Sequence, residues 1–329
     1  MPVGSYAWPS RLTRLRELEL GSKDAELRCP PGISRLQCLE ELTLRGSRVD
    51  LGGARLPPSL GILQIHDNQT TELPHQVAQL SALWSLDLVG RAYTASSLNA
   101  ISKLGSLQDL LLNATAVPPC LSQLTKLRRL AICGNFEHAL PALPHLSKLR
   151  YLLGTPKGSF PAAVARLPRL QRVCLWESNL GGTLPAGPWL DNLQWFRAPW
   201  ALLEAGAGTL AAARQLEYLC AMFMPTTTGY SEDGRSAEDD AGRAAAQRWA
   251  AFWDFAATHP PLRCLGIDTT FHRCHPRLER ATPSVALLDA LVRLKHRRPG
   301  LHLRRTPQGG GTGFWVECAD WKSIPAGPG

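Results

Sequence analysis

The chain has 329 residues, of which 44% are hydrophobic and 19% charged, and its formal net charge at pH 7 is +9. This length allows either two globular domains or one elongated array, and it contains no run of about 20 apolar residues that would form a transmembrane helix. The first residues lack a basic segment followed by an apolar one, so no secretory signal is expected. The nine cysteines are dispersed without a Cys-x-x-Cys pair, which predicts reduced thiols in an intracellular protein.

One pattern, Leu-x-x-Leu-x-Leu, organises most of the chain. The first leucines of ten successive copies lie 20 to 24 residues apart. They are Leu15, Leu39, Leu60, Leu83, Leu107, Leu127, Leu149, Leu170, Leu193 and Leu216, and a further copy begins at Leu262. Such a period is typical of a repeat in which each copy buries its leucines only by stacking on its neighbours.

The pattern resembles that of the leucine-rich-repeat family over about residues 12 to 270. Asn68 and Asn135 keep the family's asparagine, and Leu-Pro pairs such as Leu73-Pro74 and Leu184-Pro185 follow several copies. The resemblance is to the intracellular repeats of the plant and Ras-binding groups. It implies an α/β fold: a right-handed horseshoe-shaped solenoid with a parallel sheet on its concave face and an irregular C-terminal cap.

The segments predicted in chain order are a lead-in over residues 1–11, repeats over 12–228, an insertion over 229–258, a last repeat with a basic cap over 259–305, and a flexible tail over 306–329. No segment that would cap the first repeat is visible, so either the coil starts abruptly or an upstream domain is missing. The insertion combines an acidic stretch, 231–240, with an amphipathic helix over 241–257. Trp249, Phe252, Trp253 and Ala256 share one face of that helix, where core packing is favoured over a groove for a partner helix.

A second helix is predicted over residues 282–298. Thr282 is a suitable N-cap, Pro283 suits the first turn, and four leucines recur at helical spacing. Residues 295–298 place basic side chains in the last turn, where cations are favourable, and Pro299-Gly300 ends the helix. Residues 301–303 then read as a final strand.

No pattern of catalytic residues is found, and the chain is not expected to be an enzyme or to bind a cofactor. Cys264, His272, Cys274 and His275 cluster, but their spacing fits no structural zinc site, so no metal is predicted. The glycine-rich residues 308–313 lack the Lys-Ser/Thr of a phosphate loop.

The non-leucine side chains of the strands are expected to form the working surface. In the family they project from the concave face, where partners commonly bind. Along the repeats these side chains change from mainly acidic to mainly aromatic and arginine. Tryptophan, tyrosine and arginine are the residue types enriched at binding hot spots. Trp176 and Trp195 are expected to flank one ligand side chain, unless residues 221–240 cover this face. The predicted partner-binding residues are Tyr151, Arg172, Trp176, Trp195, Arg197, Trp200 and Tyr218.

The sequence thus predicts a monomeric, non-catalytic scaffold for a protein partner, in the cytoplasm or, alternatively, in the nucleus or a cilium. Two rivals stay open. One is the substrate-recognition part of an F-box-type ubiquitin ligase, although no F-box is visible. The other is a binder of nucleic acid or the axonemal cytoskeleton through the basic residues of segment 271–305. Nucleic acid is disfavoured because no aromatic residues are interleaved with the basic ones.

Overall fold

The structure is a computed structural model that describes residues 12–21, 25–67, 69, 71–114, 119–134, 136–176, 180–222, 240–268 and 285–305. It divides into two compact units. The first comprises Met1–Lys157, Pro161–Val173 and Gly187–Trp189. The second comprises Gly158–Phe160, Cys174–Ala186 and Leu190–Gly329.

Most of the repeats contribute a short strand. In the described part of the first unit the strands are β1 (Glu17–Gly21), β2 (Glu26–Arg28), β3 (Glu41–Gly46), β4 (Arg48–Asp50), β5 (Ile62–Asp67), β6 (Ser85–Tyr93), β7 (Asp109–Ala114), β8 (Arg129–Gly134) and β9 (Tyr151–Gly154). Strand β10 (Arg172–Leu175) begins in the first unit and ends in the second. The second unit contains β11 (Trp195–Pro199), β12 (Tyr218–Met222), β13 (Cys264–Asp268) and β14 (His302–Arg305).

The strands of each unit pair in parallel, with the leucines of successive repeats in register. Leu42 of β3 lies opposite Leu63 of β5, which in turn lies opposite Leu86 of β6. In the second unit, Leu219 of β12 lies between Phe196 of β11 and Leu265 of β13. These side chains are all at most 1% exposed. Burying each such leucine contributes about 1.5–3 kcal/mol, so the stacked rows form the core.

A recurrent backbone contact fixes the start of most of the repeat strands. One carbonyl of a repeat accepts two N–H groups from the next repeat. The carbonyl of Arg128 accepts from Arg150 and Tyr151 at 2.8 and 3.0 Å, and the carbonyl of Arg150 accepts from Gln171 and Arg172 at the same distances. Because this contact repeats, side chains at equivalent positions lie one strand spacing apart, about 4.8 Å.

Short helical segments return the chain from one strand to the next. In the described residues these include α1 (Ala95–Leu98), α2 (Ala162–Ala165) and several 3-10 helices. The 3-10 helices are Pro31–Arg35, His75–Gln79, Asn99–Lys103, Pro119–Gln123, Phe136–Ala139, Leu143–His145 and Pro188–Leu190. Each buries apolar residues such as Ile33, Val77 or Ile101 beneath the strands. The predicted class, an α/β leucine-rich-repeat solenoid, is therefore confirmed in each unit.

The second unit carries three longer helices, α3 (Trp200–Leu210), α4 (Asp240–Thr258) and α5 (Val285–Arg297). Helix α4 matches the predicted amphipathic helix, and Phe252 and Ala256 on its apolar face are fully buried. Strand β12 pairs directly with β13, so the long gap between these two repeats inserts no strand between them. Helix α5 and strand β14 also occur where the sequence predicts them, and β14 pairs in parallel with β13.

Several predictions concern residues outside the described ones. These are the lead-in 1–11, the asparagines Asn68 and Asn135, the helix start at Thr282 and Pro283, the tail 306–329, and residues 223–239, which hold most of the acidic stretch and of the segment 221–240 that could cover the aromatic face.

Candidate functional site

The face of the sheet opposite the leucine core, which we call the outer face, carries the candidate site. Side chains alternate along a strand, so residues two, four and six positions after the first leucine of a repeat point away from the core. These are the positions expected on the concave face. Their side chains in the second unit are mainly aromatic, cationic or small.

Two aromatic rings stack on the outer face of the second unit. Trp195 of β11 lies directly opposite Tyr218 of β12 in the parallel register. Their ring centroids are 5.4 Å apart and their planes differ by 9°. Both side chains are partly exposed. We call this pair the aromatic shelf; it offers a flat apolar surface that the neighbouring strands hold in place.

A glycine on the neighbouring strand β13 leaves space for the Tyr218 side chain. Gly266 of β13 lies one strand beyond, and a Cβ atom placed there would be 2.8 Å from the Tyr218 hydroxyl and 3.1 Å from Sγ of Cys220. Any larger residue at position 266 would displace the tyrosine ring or the cysteine. The absence of a side chain at this position therefore helps to set the orientation of the shelf.

An arginine lies two residues further along β11, on the same face. The guanidinium carbon of Arg197 is 4.5 Å from the centre of the Trp176 ring, which follows β10. Arg197 is only 4% exposed, whereas Trp176 is half-buried. A cation held this close over an indole gains about 0.5–2 kcal/mol, so the indole and the guanidinium stabilise each other's positions.

Two of the predicted residues lie in the first unit instead. Tyr151 begins β9 and Arg172 begins β10, and the Arg172 guanidinium carbon is 5.6 Å from the centre of the Tyr151 ring. Tyr151 is 8% exposed. The structure thus brings together Tyr151 with Arg172, Trp176 with Arg197, and Trp195 with Tyr218.

The expected position of Trp200 on this face is wrong. Trp200 begins helix α3 and is 4% exposed. Its ring packs against Trp249 and Phe252 of α4, with centroid distances of 4.8 and 4.6 Å. The chain leaves the sheet after Pro199, so Trp200 joins the core between two helices. The favoured interpretation of the α4 aromatic residues as core is consistent with these contacts.

Sequence reasoning missed helix α3 and the role of Gly266. Residues 200–210 contain two glycines, which disfavour a helix, and the repeat pattern gave no reason to expect one there. The pairing of Trp195 with Tyr218 was available in the sequence, because both residues stand two positions after the first leucine of their repeats.

Part of the basic C-terminal segment makes internal contacts. Arg298 donates to the carbonyls of Ala256 at 3.1 Å, His259 at 2.7 Å and Pro260 at 2.9 Å, and also to that of Leu262. Burial lowers the pKa of Arg298. Lys295 donates to the carbonyls of Pro299 and Leu301, and Arg297 pairs with Asp254 at 2.8 Å. These cations support the end of helix α4 and the turn that follows α5.

Within the described part of the chain, no group of three or more His, Cys, Asp or Glu residues is placed to hold a metal ion. Of the cysteine and histidine cluster seen in the sequence, Cys264 lies in β13 and the other members lie outside the described residues. Among the described helices, none combines the length and apolar character needed to cross a membrane.

Comparisons with known proteins give structural similarity only. No family model and no curated protein matches the chain. An internalin of Listeria monocytogenes is similar over 78% of this chain and 82% of its own, with 15% identity and a TM-score of 0.45. A leucine-rich-repeat protein of Leptospira interrogans has 16% identity and a TM-score of 0.38, over 90% of this chain and 91% of its own.

A plant peptide hormone receptor, RGFR1 in complex with RGF2, has 16% identity and a TM-score of 0.42. That match covers 78% of this chain and 45% of the receptor chain, so this chain spans under half of the receptor's length. At such identities and TM-scores, no property of these proteins transfers to this one. The fold class follows from the chain itself: the leucine pattern, present in eleven copies, and the parallel, in-register strands that it forms are those of a leucine-rich-repeat solenoid.

Proposed function

We propose that the chain is a non-catalytic scaffold that binds a protein partner on the outer face of its second unit, with the aromatic shelf at the centre of the contact. The observation that carries the proposal is the stacking of Trp195 on Tyr218 at 5.4 Å, on a face where both rings keep some exposure. The half-buried Trp176 ring extends this surface, and the buried guanidinium of Arg197 at 4.5 Å holds that ring in place.

The chemistry of the shelf suits a polypeptide. Tryptophan, tyrosine and arginine are enriched at the few interface positions that supply most of the binding free energy. Rings that already stack lose little conformational entropy on binding, so more of their contact energy appears as affinity. Small-molecule sites are enclosed clefts, whereas the shelf is a flat pair of rings on a sheet.

The rival proposal, a basic patch for nucleic acid or cytoskeleton, is less favoured by the contacts of the C-terminal segment. Arg298 and Lys295 donate to backbone carbonyls, so part of their hydrogen-bonding capacity is used inside the protein. Binding to a phosphate backbone relies on cations that remain available to displace counterions.

The test is quantitative affinity capture from a cell extract with three forms of the protein: wild type, Trp195→Ala and Trp84→Ala. Trp84 is a matched control because it is a tryptophan of the first unit that is 40% exposed. Loss of a hot-spot side chain costs about 2 kcal/mol or more, about thirtyfold in affinity. We therefore expect at least one protein to be retained by wild type and Trp84→Ala and lost with Trp195→Ala.

Equal folding of the three forms is checked first by circular dichroism and thermal unfolding. The proposal is wrong if every specifically captured protein is retained equally by Trp195→Ala and wild type.

A further inference from the structure

Four side chains form a continuous row on the outer face of the first unit. Asp109, Arg129, Tyr151 and Arg172 begin the successive strands β7, β8, β9 and β10. The carboxylate of Asp109 lies 3.4 Å from Nε of Arg129. The guanidinium carbons of Arg129 and Arg172 lie 5.5 and 5.6 Å from the centre of the Tyr151 ring. We call these four residues the arginine row.

The backbone sets the spacing of the row. Tyr151 and Arg172 each donate an N–H to a carbonyl of the preceding repeat at 3.0 Å, as Arg129 does to the carbonyl of Gln108. Equivalent positions therefore stand one strand apart, close enough for each side chain to contact the next. The tyrosine ring lies between two guanidinium groups and restricts where both can point.

The charges of the row do not cancel. Arg129 is paired with Asp109, and the two side chains are 14% and 19% exposed. Arg172 has no acidic partner among the described residues, and its contact in the row is with the neutral Tyr151 ring. The row thus carries a net charge of +1. The excess cation, Arg172, is oriented by an aromatic ring before any ligand binds.

An apolar strip runs beside the row. Leu111, Ala131 and Leu153 stand two residues further along β7, β8 and β9, on the same face. They are 6%, 0% and 4% exposed, so they form a closed floor rather than a pocket. A ligand bound along the row would therefore contact mainly the side chains of the row, beside a floor that offers it no pocket.

We propose that the arginine row binds the carboxylate side chain of an acidic protein segment, with Arg172 as the group that contacts the carboxylate and Tyr151 as the residue that positions it. A guanidinium binds a carboxylate through two parallel N–H donors, a geometry that a fixed orientation favours. The net charge of +9 adds a long-range attraction for acidic partners.

The burial of the Tyr151 ring favours an acidic protein segment over single-stranded nucleic acid as the ligand. Bases bind such surfaces by stacking on exposed aromatic rings. Tyr151 is only 8% exposed and already contacts two guanidinium groups, so little of its ring is left for a base. The proposal concerns the first unit alone and does not depend on the aromatic shelf of the second.

The test uses two fluorescent peptides blocked at both ends. One contains three glutamates and two leucines among glycine and serine, and the other has glutamine in place of each glutamate. Anisotropy titrations with the full-length protein measure both affinities. We expect the glutamate peptide to bind at least about tenfold more tightly, the difference expected from one charge-assisted hydrogen bond.

Variants of the protein show which residues produce the preference for glutamate. Arg172→Gln should remove most of this tenfold preference, whereas Arg166→Gln, which loses the same charge at an exposed position of the first unit, should change it by less than about twofold. Tyr151→Leu should reduce the preference for glutamate over glutamine, a readout that a purely structural defect would not change. Trp195→Ala should leave the preference as it is in wild type.

Three results would overturn the proposal. They are equal binding of the two peptides by wild type, equal effects of Arg172→Gln and Arg166→Gln, and tighter binding of a short oligothymidine than of the glutamate peptide through Arg172. The last result would assign the row to nucleic acid.

Discussion

Tyr218 passes directly over Gly266: a Cβ atom at that glycine would lie 2.8 Å from the tyrosine hydroxyl. The contact links the aromatic shelf to a residue that has no side chain of its own. It also means that the shelf can be disturbed without changing either of its rings.

Gly266→Ala is therefore expected to shift Tyr218 and weaken its stacking on Trp195. The added methyl group meets the far end of the tyrosine, which can shift, and more loosely the fully buried side chain of Cys220 at 3.1 Å. We expect a loss of about 1 kcal/mol or less in unfolding free energy and a clear change in the near-ultraviolet circular dichroism. Gly266→Ala should also weaken partner binding, as Tyr218→Ala is expected to do. An unchanged spectrum together with unchanged binding would contradict this relationship.

Replacing each of the two glycines of helix α3 with alanine should have opposite effects on the stability of the protein. A Cβ atom at Gly206 would lie 2.3 Å from Cδ1 and 2.4 Å from Cγ of Leu184, whereas one at Gly208 meets nothing within 4 Å. Gly206→Ala should destabilise the protein by about 1–3 kcal/mol through overpacking. Gly208→Ala should stabilise it by up to about 1 kcal/mol, since alanine is the better helix former. Urea unfolding of both variants measures the two changes, and equal effects would show that the packing of α3 against Leu184 is wrong.

The leucine core and its parallel strands could be predicted from the sequence because a repeat can bury its leucines only on its neighbours, which imposes one period on the whole array. Helices α4 and α5 could be predicted because their apolar residues recur at helical spacing. Helix α3 could not, since its glycines oppose its helical pattern.

The candidate surface was predicted less completely than the fold. Alternation along a strand indicates which side chains share a face, and it placed Trp195, Arg197 and Tyr218 correctly in the strands. It does not fix the side-chain torsions, so the fit of Tyr218 over Gly266 and the contact of Arg197 with Trp176 follow only from the three-dimensional structure. Trp200 was misplaced because the sequence does not mark the residue at which the chain leaves the sheet.

Arg298 is expected to be a major stabilising residue of the second unit. Its guanidinium donates to the carbonyls of Ala256, His259 and Pro260, which lie at the end of α4 and in the turn after it. Lysine retains the charge but cannot reach several carbonyls with one planar group. Arg298→Lys should lower the unfolding free energy by about 2 kcal/mol. Arg293→Lys, at an exposed position of helix α5, should change it by less than about 0.5 kcal/mol. Equal effects of the two substitutions in urea unfolding would refute this role.

His259 should make the protein less stable in mild acid. Burial lowers the pKa of this imidazole below its ordinary value of 6.5; the hydrogen bond with the Ala213 carbonyl opposes this in part, and the positive charge of Arg298 adds a smaller lowering effect. The neutral form is therefore favoured in the folded protein. Its stabilising contribution is complete above the ordinary pKa and is lost as the pH falls through the lowered one.

Urea unfolding at about pH 7.5 and about pH 5.5 tests this expectation. The loss of unfolding free energy from the higher to the lower pH should be smaller in His259→Gln than in wild type. His296→Gln, at an exposed position of α5, should lose as much as wild type does. An unchanged loss in His259→Gln would rule out this histidine as the cause.

Site-directed photo-crosslinking tests the central claim, binding of a protein partner at the aromatic shelf, most directly. A photoreactive phenylalanine analogue is placed at position 195 in one sample and at the exposed position 84 in another, and each protein is irradiated in cell extract. We predict that position 195 forms a crosslink to a specific protein and that an excess of unlabelled wild-type protein suppresses it, whereas an excess of Tyr218→Ala does not. If position 195 gives no product beyond those from position 84, or if both competitors suppress it equally, the partner does not bind at the shelf.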